Sequence, residues 1–272
     1  MKYEKIVKLR QVLISQFSNS SVKNIHNNAD INNIINSIIG INKFITIYNF
    51  ELKKFTFHHL VKETLGYTDK EFTIEAINNA ENSNTHIIYK DDIEHKRRYD
   101  LIIYQFLASG LEIASLADNY EISFRIIDKE KNVKRVVRQS FIFETDSKGT
   151  PISQLDIWKI VPNDNPYVSV RLNHSSKTDL LNLFYKKNRE LLGFNLTKRQ
   201  IEILKLRNQR LDNKSVAHQL NISLKTVENH ISKLKQKIQD FEQLKSTNKF
   251  IYNMNDMLHF VRKYGLFSFV VE

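Results

Sequence analysis

The chain has 272 residues, a formal net charge of +11 and no cysteine. Its length predicts two domains, and its basic excess favours nucleic acid or another anionic surface as a partner. The lack of cysteine excludes disulfides, thiolate zinc sites and cysteine nucleophiles. The N-terminal stretch has no signal-peptide core, and no stretch approaches the roughly 18 apolar residues of a membrane span, so we expect a soluble, cytoplasmic protein.

The first predicted elements are helices within residues 1–40. Apolar residues recur there at helical spacing, namely Ile6, Leu9, Leu13 and Phe17, then Ile31, Ile34, Ile35 and Ile38. Each predicted helix therefore has an apolar face that needs a partner surface.

From Phe44 the apolar period changes to two, which predicts strands. Three further strands are expected in the segment 120–160, separated by the turn-forming stretches DKEKN and DSKGTP. We expect two inward-facing sets, Tyr120, Ile122, Phe124 and Ile126 on one strand and Val133, Val137, Phe141 and Phe143 on the next. Because short consecutive strands with tight connections pair antiparallel, residues 41–165 are predicted to form an α+β domain.

A domain boundary is expected in residues 161–176, which hold two of the three prolines and a Ser- and Asn-rich end. We predict a linker over residues 166–190 that contains a helix near 177–192. Beyond it, residues 191–272 show helical spacing and are predicted to be all-α.

The all-α region begins with a predicted helix-turn-helix. Thr197 stands three residues before Gln200, a capping-box spacing that predicts a helix start near Lys198. Asp212 can cap a second, short helix, and Asn221 stands where a left-handed residue would end it. Ser223 can cap a third helix after a turn of about three residues, and two helices joined this way form a helix-turn-helix.

The third predicted helix has an apolar stripe and an opposite polar face. The stripe consists of Val227, Ile231, Leu234 and Ile238, and the opposite face of Lys225, Glu228, Asn229, Ser232, Lys233 and Gln236. Such side chains suit base edges and phosphates, although a solvated face alone would look the same. Residues 196–240 carry ten Lys and Arg against four acidic residues, a net charge of +6, which favours the nucleic-acid interpretation.

The stretch LTKRQIEILKLRNQRLDNKSVAHQLNISLKTVENHISKLKQKI resembles the LuxR-type helix-turn-helix of bacterial transcription regulators. The resemblance implies a four-helix domain that binds double-stranded DNA, with its third helix in the major groove. We also expect a homodimer, because one small domain contacts only a half-site and two-fold symmetry doubles the readout, with RNA polymerase as a candidate partner. The implied phosphate or groove contacts are Lys214 and Thr226, and the implied base readers are Lys225, Glu228, Asn229, Ser232 and Lys233.

Three positions depart from the family pattern. Arg210 replaces the usual Gly, Ser215 the usual Glu and Val216 the usual Ile. Since Gly adopts backbone angles that Arg avoids, we expect Arg210 to force a different backbone angle there, which leaves the angle between the first two helices open.

The stretch NDMLHFVRKYGLF resembles the fourth helix of the family. We expect Asn255 or Asp256 to cap it, Leu258 and Val261 to face inward and Gly265 to end it. In the family this helix often carries the dimer contact; completing the core is an equally good interpretation.

Within residues 41–165, TLGYTDKEF (64–72), YKDDI (89–93) and the later strand segments resemble a PAS domain. The resemblance implies a five-stranded antiparallel sheet with helices on one face, able to hold a small ligand or to pair protomers. The predicted fold is thus a PAS-like sensory or dimerisation domain followed by an all-α DNA-binding domain.

Other functions are disfavoured by the residues. Asp91 and Asp92 are reminiscent of a phospho-receiver, but a receiver needs a parallel sheet. His86 and His95 could ligate haem, although surface histidines are far commoner, and Trp158 is most simply a core residue. Without a phosphate loop, catalytic signature or metal spacing, we expect no enzyme, metal, haem or flavin. A protein-interaction adaptor with a helix-turn-helix that no longer reads DNA is the alternative.

Overall fold

A computed structural model describes most of the chain. The described residues are 42–78, 87–108, 119–147, 150–173, 177–244, 251 and 253–267. The predicted helices of residues 1–40, and also His86, lie outside them. The chain divides into two compact units, residues 1–180 and residues 181–272. No helix of the described residues is long and apolar enough to cross a membrane.

The N-terminal unit is built on one antiparallel sheet. Its elements are β1 (Lys43–Asn49), β2 (Lys54–His59), α1 (Val61–Leu65), α2 (Ile74–Asn78), α3 (Lys90–Ala108), β3 (Asn119–Ile127), β4 (Val133–Thr145), β5 (Pro151–Val161) and β6 (Ser169–Asn173). The strand order is β2-β1-β5-β4-β3-β6, and every neighbouring pair is antiparallel. The predicted α+β class with an antiparallel sheet is therefore confirmed.

The sheet has six strands, one more than the resemblance implies. The additional strand β6 pairs with β3 at the sheet edge, where Val170 lies opposite Ile122 and Leu172 opposite Tyr120. Only two of its five residues are apolar, so its sequence carried little strand signal. As a result, the range predicted as a linker, 166–190, contains a sheet strand as well as a helix.

The inward face of β4 differs from the predicted one. The expected β3 set is buried throughout, but Val133 of the expected β4 set is 40% exposed. Across the β3–β4 ladder, Phe124 lies opposite Val136, Ile122 opposite Arg138 and Tyr120 opposite Ser140. Two polar residues thus occupy inward positions of β4, which an apolar pattern cannot predict.

Trp158 is a core residue, as predicted. Its ring stacks on Phe44 with 5.2 Å between ring centroids, and its Nε1 donates to Thr46 Oγ1 at 3.0 Å. Only 2% of its surface is exposed. Both the ring and the N–H of Trp158 thus contact residues of β1, which fixes this β5 side chain in the core.

The C-terminal unit is helical. Helix α4 (Lys177–Leu192) crosses the boundary between the units, and α5 (Lys198–Asn208), α6 (Asn213–Gln219), α7 (Leu224–Leu244) and α8 (Met254–Lys263) follow. The larger core of this unit packs α5, α7 and α8 together, with Phe194, Leu204, Leu234, Phe260 and Val261 among its buried residues. Buried Asn188 of α4 donates to the carbonyl oxygens of Tyr264 and Gly265, which ties α4 to the end of α8.

Helix α8 begins earlier than predicted. Asn253, rather than Asn255 or Asp256, is its N-cap, and Asp256 completes a capping box by accepting from the Asn253 backbone N–H. The expectation was wrong because Asp256 serves as the third helical residue, where a carboxylate can reach back to the cap. Leu258 and Val261 face inward, as predicted, and Gly265 ends the helix with a φ of 57°.

Candidate functional site

The turn between α5 and α6 keeps a glycine-like backbone. Arg210 adopts a φ of 66°, so the expectation that it forces a different backbone angle there is wrong. The Arg210 N–H donates to Arg207 and the Leu211 N–H to Leu206, which closes the end of α5. Arg207 also donates to the Leu211 carbonyl. The packing of the unit therefore imposes the left-handed conformation on a residue with a Cβ, at a cost of about 1–2 kcal/mol.

The turn between α6 and α7 forms as predicted. Asn221 adopts a φ of 50°, and the Ile222 N–H donates to the Ala217 carbonyl at 3.0 Å. Ser223 then caps α7, its Oγ accepting from the Thr226 N–H at 3.1 Å. Asp212 caps α6 by accepting from the Ser215 N–H at 2.8 Å, and this hydrogen bond lowers the pKa of Asp212. Local polar contacts thus fix the α6–α7 turn and the start of α6.

A small apolar cluster holds α6 and α7 against α5. Ile203, Val216, Ala217 and Val227 are buried in it, and half-buried Ile231 packs against both this cluster and the larger core. The predicted stripe of α7 therefore faces inward, with Leu234 and Ile238 also buried. Because a helix buries only one side this way, the opposite side of α7 is left to solvent.

The predicted DNA-binding residues lie on that open side. Lys225, Glu228, Asn229, Ser232 and Lys233 of α7 are exposed, as is Lys214 of α6, and Thr226 is half-buried. Lys225 Nζ lies 3.9 Å from Glu228 Oε2, and the hydroxyls of Thr226 and Ser223 lie 2.8 Å apart. The exposed pair is weak, worth at most about 1 kcal/mol, so Lys225 can exchange Glu228 for a phosphate at little cost.

The family comparison supports the same region. The luxR family of bacterial regulatory proteins matches residues 195–240. Residues 195–240 form a LuxR-family DNA-binding domain. This LuxR-type domain contains α5, α6 and most of α7, and hence every residue assigned to DNA contact. Comparison with curated proteins finds no match.

Several solved structures resemble the chain at low identity. A sensory box histidine kinase/response regulator from Burkholderia thailandensis is 15% identical over 58% of this chain and 97% of its own, with a TM-score of 0.33. The VqmA dimer of Vibrio cholerae without target DNA is 13% identical over 86% and 88%, with a TM-score of 0.32. A phage VqmA–DPO complex is 14% identical over 89% and 92%, with a TM-score of 0.29.

The N-terminal unit contains a second candidate site, a cavity of about 360 Å³. Its described lining is Tyr48, Phe50, Phe55, Ile74, Ile77, Lys96, Arg97, Asp100, Leu101, Tyr104, Arg138, Gln154, Asp156 and Trp158. These residues come from both sheet and helices, with α3 supplying five of them. Most of the side chains are aromatic or aliphatic, and the polar ones are concentrated on α3, β4 and β5.

One carboxylate of this cavity forms ion pairs with two basic side chains. Asp100 Oδ2 lies 2.8 Å from Lys96 Nζ, and Arg138 Nη2 donates to Asp100 Oδ1 at 2.5 Å. Burial alone would raise the pKa of Asp100, but Arg138 and Lys96 together lower it. Burial also lowers the pKa of Lys96, an effect that Asp100 opposes. Asp100 is therefore the ionised partner that makes two buried cations tolerable.

The second carboxyl group of the cavity accepts only neutral donors. Ser140 Oγ donates to Asp156 Oδ1 at 2.5 Å and Gln154 Nε2 donates to the same oxygen at 2.7 Å. The Tyr120 hydroxyl in turn donates to Gln154 Oε1 at 2.7 Å. Burial raises the pKa of both Asp156 and Tyr120. This network orients Asp156 in the cavity wall, and although its hydrogen bonds lower the pKa of Asp156, burial outweighs them.

The sequence did not single out this cluster. Arg138 lies opposite Trp158, and Ser140 opposite Asp156, across the β4–β5 ladder. The available signal was that Gln154 and Asp156 lie at alternate positions of β5, in the same phase as the core residue Trp158. That signal becomes readable only once the strand register is known.

The remaining candidate residues have structural roles. Asp92, considered as part of a receiver site, is buried, pairs with Arg125 at 2.5 Å and accepts its backbone N–H at 2.7 Å. His95 is buried on α3, with its Nδ1 3.0 Å from Arg98 Nη2. Among the described residues no group of three or more acidic or histidine side chains is placed to hold a metal ion.

Proposed function

We propose that the chain is a transcription regulator whose α7 enters the major groove of double-stranded DNA. The observation that carries the proposal is the exposed polar face of α7, fixed in a LuxR-type domain by buried packing and capped turns. In this proposal Asn229 reads adenine, Glu228 accepts from cytosine, and Lys225, Lys233 and Ser232 contact bases or phosphates. Lys214 and Thr226 contact the backbone.

Charge supports the same proposal. The net charge of +6 over residues 196–240 attracts phosphates, and each neutralised phosphate releases condensed counterions. The affinity for DNA should therefore fall steeply as salt rises. A cytoplasmic location and RNA polymerase as a second partner belong to the same proposal.

The deciding experiment is a salt titration of DNA binding by the full-length protein and a double variant. Replacing Lys225 and Lys233 by Ala should reduce the slope of log affinity against log salt by about two. The control replaces Lys62 and Lys70, which are exposed in the N-terminal unit, and has the same change in net charge. An unchanged slope in the Lys225/Lys233 variant would reject the assigned face.

The adaptor alternative loses one of its two supports. It rested on Glu228 and on the Arg210 departure, but Arg210 retains the backbone angle that the turn needs. If the full-length protein shows no salt-dependent binding to any duplex, the adaptor becomes the better hypothesis.

We further propose that the protein acts as a homodimer. A single small DNA-binding domain contacts one half-site, and two-fold symmetry doubles the contacts. Residues 1–40, the PAS-like unit and α8 are the candidate surfaces, in that order. Deleting residues 1–40 should weaken self-association measured by sedimentation, and a monomeric full-length protein at micromolar concentration, free and on DNA, would reject the dimer.

The PAS-like unit is proposed to sense a small molecule. Its cavity combines apolar walls with a few oriented polar groups, as ligand sites do. Helix α4 runs from this unit into the next, where Asn188 and Arg189 donate to carbonyls at the end of α8. A ligand controls DNA binding only if it binds two arrangements of the protein with different affinity. Native mass spectrometry of the purified protein tests whether a small molecule is retained.

A further inference from the structure

The cavity of the N-terminal unit has more basic than acidic side chains. Lys96, Arg97 and Arg138 line it, against Asp100 and Asp156. Asp100 is shared between Lys96 and Arg138, so one negative charge faces two positive ones. Asp156 accepts from the neutral donors Ser140 and Gln154. The cavity is therefore electropositive.

Arg138 has unused capacity to donate. Its guanidinium carries five N–H groups, and within the described residues only Nη2 has a partner, Asp100. Its Nε is buried without a hydrogen-bond partner. The guanidinium carbon lies 5.9 Å from the ring centre of Tyr120 and 5.7 Å from that of Trp158, which holds it in place. A buried, incompletely paired guanidinium is stabilised by an additional anion.

The other walls are aromatic. Phe50, Phe55 and Tyr104 line the cavity beside Trp158, and Phe50 meets Tyr104 edge to face at 5.6 Å between centroids. A volume of about 360 Å³ is at the lower end of ligand sites, which suits one or two rings. Flat apolar walls and a fixed cation select for a ring that carries one negative charge.

We propose that the cavity binds a small aromatic carboxylate, with its ring against the aromatic walls and its carboxylate directed to Arg138 and Lys96. This inference depends on the proposed sensory function and specifies its ligand class. A neutral aromatic would fill the same walls but leave Arg138 incompletely paired, and an aromatic amine would be repelled.

The test compares matched probes on the full-length protein by isothermal titration calorimetry. The probes are benzoate, benzamide and benzylamine, and then indole-3-acetate and indole-3-acetamide for the larger ring system. We expect at least one acid to bind, and to bind about tenfold or more tightly than its amide, with the amine undetected. An amide that binds as tightly as its acid, or a failure of both acids to bind, would overturn the inference.

Two variants separate the site from its surroundings. Arg97 is exposed at the cavity, so Arg97→Gln should weaken acid binding two- to threefold and leave amide binding unchanged. Leu101→Trp should obstruct the cavity and abolish acid binding. Its control, Leu191→Trp, changes a leucine of equal exposure, 45% against 46%, in the other unit and should bind acids normally. Equal loss in both tryptophan variants would contradict the assigned cavity.

The salt titration of DNA binding is independent of these probes. Normal DNA binding without acid binding would reject the ligand class and leave the regulator proposal standing. Acid binding without any DNA binding would reject the regulator and leave the cavity assignment standing.

Discussion

The two candidate sites use charged side chains in opposite ways. On α7, Lys225 and Lys233 are exposed, and the nearest acidic group of Lys225 is 3.9 Å away. In the cavity, Lys96 and Arg138 are buried and share Asp100 at 2.8 and 2.5 Å. Exposed charges act through a field that salt screens, whereas buried charges are screened little and must be paired. The first arrangement suits a polyanion such as DNA, and the second suits a single small anion.

The largest expected effect follows from removing the shared buried carboxylate. Asp100→Ala leaves Lys96 and Arg138 without their common partner, which should destabilise the N-terminal unit by about 3–5 kcal/mol. Urea denaturation followed by Trp158 fluorescence measures this loss. The matched change at the exposed pair of the C-terminal unit, Glu228→Ala, should alter stability by less than about 1 kcal/mol, measured by urea denaturation followed by the circular dichroism of the helices. Similar losses in the two variants would remove the contrast between the sites.

The next largest effect concerns recognition of DNA bases by α7. Asn229→Ala should lose about 1–3 kcal/mol of binding to the specific DNA site and little on random DNA, because a base contact is made only to the correct base. Fluorescence anisotropy on both duplexes measures the difference. Gln243→Ala, an exposed amide near the end of α7, is the control and should bind normally. An equal loss on both duplexes would make Asn229 a backbone contact.

A third effect concerns the strained turn. Arg210→Gly should stabilise the C-terminal unit by about 1 kcal/mol, because Gly adopts the positive φ without the Cβ penalty. Arg210→Lys keeps both the charge and the Cβ and should leave stability unchanged. Thermal denaturation of the three proteins provides the comparison. A destabilised Gly variant would show that the Arg207–Leu211 end of α5 depends on the Arg210 side chain.

The helix-turn-helix was predictable because its signals are local. Thr197 and Gln200 form their capping box, Asp212 and Ser223 cap the next helices, and Asn221 takes its left-handed angle, all within a few residues. Arg210 shows the limit, because the buried packing of three helices overrides its own preference. The departure from the family's Gly suggested a different backbone angle at Arg210, but the packing of the helices keeps the positive φ.

The cavity could not be predicted because it depends on strand register and long-range pairing. Arg138 meets Asp100 across 38 positions, and Tyr120 meets Gln154 across 34. A shift of one residue in β4 would turn Arg138 and Ser140 outward. The edge strand β6 was missed for a related reason, since its few apolar residues gain their meaning only from pairing with β3.

The smallest effect tests a half-buried acidic residue of the N-terminal unit. Glu71 accepts from Lys129 Nζ and from both the N–H and the hydroxyl of Thr68, each at 2.8 Å. These hydrogen bonds, of which that from Lys129 has the largest effect, lower the pKa of Glu71 to about 2.

A carboxylate whose pKa is lower in the folded state stabilises the fold at pH values above its unfolded pKa, near 4.5, and loses that contribution as the pH falls towards about 2. The stability difference between the wild type and Glu71→Gln should therefore be constant above pH 5 and shrink below it. Urea denaturation at a series of pH values measures it, with the exposed Glu51→Gln as the matched control. If the Glu71 difference stayed constant down to pH 2, the hydrogen bonds to Thr68 and Lys129 would not favour the ionised form. Because the side chains of Glu71 and Lys129 are 38% and 51% exposed, the effect of Glu71 should also diminish in high salt, whereas the loss caused by Asp100→Ala should persist.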